Sequence, residues 1–200
     1  MNTIIYTCII GGYDTLQEIT TKHQAICFTD TDIKSATWEI VKIKLEPKIF
    51  RKVKICPHLF LPKHDRNVWI DGNCVFDDID KIIEPMNGFN ILKHWKRNCV
   101  YAEAVRCIET GKDKEEIIMK QINKYYHENY PFNNGMVESS VMVRDNTEVN
   151  KKFGKLWWSQ VRRYSVRDQI SFNYVAWKTG LHYKTFYPMH GFKRNPHASK

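Results

Sequence analysis

The 200-residue sequence predicts an α/β layer fold on a mixed sheet, and three observations carry that expectation. Short β-branched runs closed by Gly, Asp or Pro alternate with stretches of helical periodicity. A late strand near Val141 makes the sheet mixed rather than purely parallel. The polar clusters Gly11 to Asp14, Thr29 with Asp30, and Asp71 with Asn73 each close a predicted strand, where ligands sit in such sheets.

Taken in order, Thr3 to Ile10 is apolar and β-branched and ends at Gly11-Gly12, which reads as a buried strand followed by a tight turn. Ala25 to Phe28 is a second short strand, and Thr37 to Leu45 alternates like a half-buried third. Pro47 opens a helix that runs to about Cys56 and is stopped by Pro57. Val68 to Ile70 is a brief strand ending on Asp71. Arg97 to Glu109 is helical until Gly111 breaks it, and Asp113 with Glu116 has the spacing of a capping box for the next helix. In that helix Ile118, Ile122 and Tyr125 share a core-facing stripe. Beyond the Pro131 to Gly135 loop come the strand Val141 to Val143 and a helix on which Val149, Phe153, Leu156 and Trp157 recur. A last helix follows Ser165, with Asp168 placed to serve its first turn.

Length and an apolar fraction of 42% suit one domain over residues 1–200, either whole or part of a longer chain, with a loose tail over 193–200. The formal charge of +9 favours a polyanionic ligand, whether nucleic acid, an anionic membrane or a phosphorylated small molecule. The basic residues are dispersed and lack the aromatic and glycine signature of an RNA-binding sheet, so no nucleic-acid partner is expected. Six cysteines lie mostly in apolar runs without CxxC spacing and read as reduced core thiols. No apolar run is long enough for a membrane span, and the expected compartment is cytosolic.

Asp71-Gly72-Asn73 offers two hard oxygens separated by one small residue at a strand end, a pattern able to hold a divalent cation against phosphates. By itself such a tripeptide is more often a turn bonding its own backbone. Its context is more specific. Val68-Trp69-Ile70-Asp71-Gly72-Asn73 resembles the hydrophobic strand and DxD motif of GT-A glycosyltransferases, with Asn73 in the second Asp's place. Tyr6 to Asp14, Cys27-Phe28-Thr29-Asp30, Trp69 to Asn73 and Arg167-Asp168-Gln169-Ile170-Ser171-Phe172 follow the order of one glycosyltransferase-like family. That family, once a domain of unknown function, occurs in plants, bacteria and large algal viruses. Within it, the chain resembles the amino-terminal glycosyltransferase domain of a chlorella-virus protein.

The resemblance implies a GT-A fold and a hexosyl- or deoxyhexosyltransferase that uses a UDP-sugar, Mn2+ or Mg2+, and a glycan or glycoprotein acceptor. It implies that Gly11, Gly12, Tyr13, Asp14, Thr29 and Asp30 hold the nucleoside, with Arg51 reaching base or diphosphate. His190-Gly191-Phe192-Lys193 is similar to a late His-x-Gly-x-Lys element, in which His190 would join Asp71 and Asn73 on the metal and Lys193 would meet the diphosphate. Asp168 and Gln169 look like an Asp-Gln pair near the sugar, and Glu138 is a second carboxylate for acceptor binding or base catalysis. His94 and Arg97 resemble a His-x-x-Arg contact to sugar or phosphate, although a salt bridge accounts for Arg97 equally well. The pair and the late His resemble retaining enzymes, but no side chain by itself identifies a nucleophile or base. Trp157 at helical spacing from Phe153 reads as core rather than as a sugar platform. Two rivals stay open: a nucleic-acid-binding or metal-dependent phosphodiesterase domain, and a non-catalytic nucleotide-sugar binding module.

Overall fold

The computed structural model describes residues 1–188 and 190–197. Its nine strands among these residues are β1 (Thr3–Ile9), β2 (Gln24–Thr29), β3 (Glu39–Lys42), β4 (Arg66–Ile70), β5 (Cys74–Phe76), β6 (Phe89–Lys93), β7 (Val137–Asp145), β8 (Lys184–Phe186) and β9 (Phe192–Arg194). The helices are α1 (Ile49–Ile55), α2 (Ile79–Ile83), α3 (Val100–Glu109), α4 (Glu115–His127), α5 (Glu148–Arg163) and α6 (Asp168–Thr179).

A seven-stranded sheet runs β3-β2-β1-β4-β7-β6-β8, and β5 pairs with β9 in a separate ribbon. Within the seven-stranded sheet pairing is parallel except at β7, which is antiparallel to both β4 and β6, and the β5–β9 ribbon is antiparallel. This mixed α/β arrangement is consistent with a GT-A-like fold. Because β7 runs against its neighbours, its start lies at the same edge as the ends of β4 and β6. Glu138 and Ser139 are thereby brought level with Asp71 and His94.

Both faces of the sheet are covered, so β1 is buried along its whole length. Ile4, Tyr6 and Cys8 face one core with Val53, Phe153, Trp157 and Phe172 from α1, α5 and α6. Ile5 and Ile9 face the other with Ile79, Ile82 and Ile83 of α2 and with Trp38. The stripe Ile118, Ile122, Tyr125 is buried as expected, as are Phe153 and Trp157, while Val149 and Leu156 stay exposed on the same helix.

Several local expectations need correction. The first helix begins at Ile49, not at Pro47, because Lys48 adopts a left-handed conformation with φ 60° and its ammonium bonds the carbonyls of Val161 and Tyr164. Asp113 does not cap α4. Its Oδ2 accepts from Ser165 Oγ at 2.7 Å and Val166 N at 2.8 Å, so it ties α4 to the turn before α6. Ser165 Oγ donates to Asp113 and accepts from Arg167 N at 3.1 Å, and α6 starts at Asp168 after Arg167 without a side-chain cap. The stretch from Lys193 is seated rather than loose: Lys193 and Arg194 pair with β5, and Asn195 N donates to Asn73 O at 2.9 Å. Residues 198–200 of that stretch lie outside the described residues.

Candidate active site

The sheet edge that gathers the ends of β1, β2, β4 and β6 carries nearly all the polar clusters marked in the sequence. Gly11 and Gly12, both with φ above +60°, reverse the chain after β1, a conformation that a Cβ would strain. Gly11 N donates to Asp30 Oδ1 at 2.8 Å, which joins the β1 and β2 turns. Thr29 turns inward and accepts from Thr31 N through Oγ1 at 3.1 Å. Tyr13 is half exposed. Asp14 lies against the Asp71-Gly72-Asn73 turn, since a Cβ on Gly72 would meet its Cβ at 3.2 Å and Ile9 Cδ1 at 2.6 Å. Gly72 is thus required by packing against β1, whatever it allows a phosphate.

Asp71 Oδ1 accepts from Trp69 Nε1 at 2.9 Å and sits 3.4 Å from Lys54 Nζ. Among the described residues its Oδ2 has only Arg194 Nη2, at 3.5 Å. Asn73 is buried; its amide nitrogen donates to Asn195 O at 2.6 Å, while its Oδ1 is buried with no hydrogen-bond partner among the described residues. A buried carbonyl oxygen left without a donor is costly unless something else supplies one or a cation. Asp71 Oδ2 and Asn73 Oδ1 are the oxygens of this turn that could hold a hard divalent cation. The described residues hold no cluster of three or more His, Cys, Asp or Glu around a common point. His190 is exposed in the turn before β9, at the far end of the ribbon from Asn73, and the structure does not bring it to Asp71 and Asn73.

Beneath Asp71 lies an ionic cluster that the sequence did not reveal. Lys54 Nζ, 1% exposed, lies 3.1 Å from Asp168 Oδ2 and 2.9 Å from Ser139 Oγ. Arg51 Nη1 binds the other Asp168 oxygen at 3.1 Å and so does not extend toward the β1 and β2 turns. Burial opposes the charged form of Asp168, but Arg51, Lys54 and Arg167 outweigh it and hold the carboxyl well below the usual range. Asp168 is sealed from solvent and communicates with the edge through Lys54, which also lies over the Trp69 ring. Lys54 carried no sequence signal because a lysine on an amphipathic helix normally reaches water.

Gln169 Nε2 donates to Val137 O at 3.2 Å, and Arg167 Nη2 donates to its Oε1 at 3.1 Å. Glu138 is held through one oxygen, with Ser140 Oγ and Arg194 Nη1 both at 2.8 Å. His94 Nδ1 accepts from Arg97 N at 3.1 Å while Nε2 faces Glu103 at 3.6 Å; Arg97 pairs with Glu103. Burial depresses the His94 pKa, which favours this neutral, accepting Nδ1. Glu138, His94, Arg97 and Gln169 line one cavity of about 310 Å³. Lys193 is exposed and, by strand alternation, points away from the face of Arg194. It is the next residue, Arg194, that reaches both Asp71 and Glu138.

The tail continues across the edge. Asn195 Nδ2 donates to Gln17 Oε1 at 3.0 Å, and His197 Nδ1 lies 2.6 Å from Asp14 with its ring beside Tyr13. Cysteine chemistry is not available to the site: all six thiols are buried and free, and burial pushes Cys56 up to about 11 and Cys27 up to about 12.

Residues 2–195 match the family described as TOD1/MUCI70, glycosyltransferase-like domain. The chain is 26% identical over 165 residues to the probable hexosyltransferase MUCI70 of Arabidopsis thaliana, an alignment covering 73% of this chain and 28% of that protein. The chain thus spans well under a third of that plant relative's length.

Proposed function

Because the chain belongs to the TOD1/MUCI70 glycosyltransferase-like family, we propose that it transfers a sugar from a UDP-sugar to a glycan or glycoprotein acceptor, with Mn2+ or Mg2+ at Asp71 and Asn73. One observation carries the finer reading: the buried Oδ1 of Asn73, without a partner among the described residues, in the same turn as the weakly held Oδ2 of Asp71, at the edge where β1 and β2 form a turn pair suited to a nucleoside. Bound there, the cation neutralises the charge developing on the leaving diphosphate. Lys54 and Trp69 fix the inner oxygen of Asp71, so its outer oxygen keeps one orientation. A cation held there would take over the 3.5 Å contact that Arg194 makes with that oxygen, and Arg194 would keep Glu138.

On the acceptor side, Glu138 keeps one oxygen without a hydrogen-bond partner among the described residues, which suits it to accept a proton from a sugar hydroxyl. Gln169 is the member of the Asp-Gln pair placed to touch a sugar, and Asp168 is a positioning residue acting through Lys54. Retention at the anomeric carbon is the outcome that the likeness of this pair to retaining enzymes favours.

The test is UDP release from a panel of UDP-sugars with and without Mn2+, comparing the intact chain with Asp71→Ala. Metal-dependent release from one donor, lost in the variant, is the expected result. Release from no donor, together with absent UDP binding by calorimetry, would return the chain to the phosphodiester reading.

A further inference from the structure

A block of uncompensated positive charge lies away from the sheet edge, on the outer face of α5. From Val149 to Arg167 the sequence has Lys151, Lys152, Lys155, Arg162, Arg163 and Arg167 and no carboxylate. Phe153, Gly154, Trp157 and Val161 are the buried positions of α5. With about 3.6 residues per turn, Lys151, Lys155 and Arg162 then share one outward stripe, with Lys152 and Arg163 beside it. Lys151 meets Glu148 at 2.8 Å. Lys152, Lys155, Arg162 and Arg163 are exposed and form no ion pair among the described residues. Lys151 and Lys152 stand one helical turn before Lys155, a spacing at which like charges repel, so an anionic partner relieves the face. Apolar side chains border the stripe. Val149 and Leu156 are exposed on one side. On the other side Gly154 packs against Ile55 at the end of α1. Burial and, after it, the charges of Lys155 and Lys151 lower the His58 pKa, which places the turn Pro57–Leu59 and its exposed Leu59 beside the same lysines.

We propose that the outer face of α5 docks the protein on an anionic lipid bilayer, its lysines and arginines on the headgroups and Leu59 and Leu156 in the headgroup–acyl boundary. Basic clusters on a helix are drawn to the negative potential of such a surface, and the attraction fades within a Debye length. A nucleic-acid backbone would satisfy the charges but offers leucine and valine nothing to bury them in, whereas the lipid boundary does. A second copy of the chain would set like charges against each other. The direction of α5 keeps the candidate site accessible. β7 starts at the edge that carries Asp71 and ends at the opposite one, and α5 begins there at Glu148. It therefore runs back toward Asp168, which accepts from Ser139 Oγ at 2.8 Å at the site edge. Docking along α5 leaves that edge open beside the bilayer instead of covered by it.

Co-sedimentation with vesicles tests this, using phosphatidylcholine alone and an equimolar mixture with phosphatidylserine, each at low and high salt. The intact chain is compared with Lys152→Gln/Lys155→Gln/Arg162→Gln and with Leu59→Gln/Leu156→Gln. A third variant, Lys34→Gln/Lys81→Gln/Lys120→Gln, removes the same charge from exposed positions elsewhere. Every substituted side chain is exposed, and an unchanged thermal midpoint shows that each variant folds. Binding is expected only with phosphatidylserine and to weaken with salt. It should fall about a hundredfold in the α5 triple variant, at about fivefold per cation, and stay within about threefold in the control triple variant. The leucine variant should lose about fivefold or more. Equal losses in the two triple variants would reduce the effect to net charge and overturn the proposal, as would absent binding or binding that ignores phosphatidylserine. A labelled RNA oligonucleotide is titrated in parallel. Tight RNA binding lost in the α5 triple variant, with vesicle binding indifferent to the leucines, would assign the face to nucleic acid instead. Sedimentation velocity covers the remaining occupant: a dimer that the α5 triple variant dissociates would give the face to a second copy and also overturn the proposal.

Discussion

At the scale of single residues, the site is governed by which charges are compensated. Asp168 is the clearest case, a 1%-exposed carboxylate whose two oxygens are divided between Arg51 and Lys54. Its folded pKa lies below that of an unfolded aspartate, so its contribution to stability is complete above about pH 4 and is lost as pH falls further. Asp168→Asn strands the buried Lys54 charge and is expected to cost about 3–5 kcal/mol at neutral pH. Urea unfolding at pH 7 and at low pH checks this: the gap between the two proteins should narrow in acid, and a pH-independent gap would mean that the ion pairs are not its source. Asn73→Ala makes the opposite point. It removes an oxygen that has no partner among the described residues, so UDP affinity in Mn2+ should weaken about tenfold while the metal-free affinity stays put. Equal losses with and without metal would detach Asn73 from the cation.

Elements meet the site through a few close approaches. α5 crosses α1 at Gly154, where an added Cβ would lie 2.7 Å from Ile55 O, a backbone atom that cannot swing away. Gly154→Ala should therefore destabilise by about 1–3 kcal/mol despite the better helix propensity of alanine, measurable as a lower denaturation midpoint. A rise in the midpoint would show that the helices can separate at no cost. Arg144 of β7 locks the same end of α1: it donates to Lys54 O at 2.8 Å, Asn67 Oδ1 at 3.0 Å and the Tyr6 hydroxyl. This brace sets the height of Lys54 below Asp71. Sequence periodicity shows that α1 and α5 are helices, yet nothing in it shows that Lys54 is buried. A lysine's placement depends on what packs above it, which in this chain is Trp69.

For the molecule as a whole, the decisive feature is the return of the chain after β8. β9 pairs with β5, Arg194 reaches Asp71 and Glu138, Asn195 binds Asn73, and His197 reaches Asp14. Residues more than 120 positions apart thus complete one edge. A chain ending at Gly191 should melt several degrees lower and lose most of the thermal shift that UDP gives the intact protein, because Asp71, Asn73 and Asp14 lose their anchors. An unchanged UDP-induced shift would remove the tail from the site. The described residues contain no helix long and apolar enough to cross a membrane.

The sequence by itself determined the α/β class, the buried strands ending at Gly11, Asp30 and Asp71, and the core helices around Tyr125 and Trp157. Each is written in local periodicity and in the turn residues that stop it. The short pieces β5, α2, β6, β8 and β9 were not legible, since three to five residues carry too little pattern to outweigh their surroundings. Only the tertiary structure decided that Arg194 rather than Lys193 reaches the carboxylates, that His190 lies apart from Asp71 and Asn73, and that Arg51 and Lys54 serve Asp168. Those outcomes depend on strand register and on burial by distant segments, and a one-residue shift along a strand sends a side chain to the opposite face.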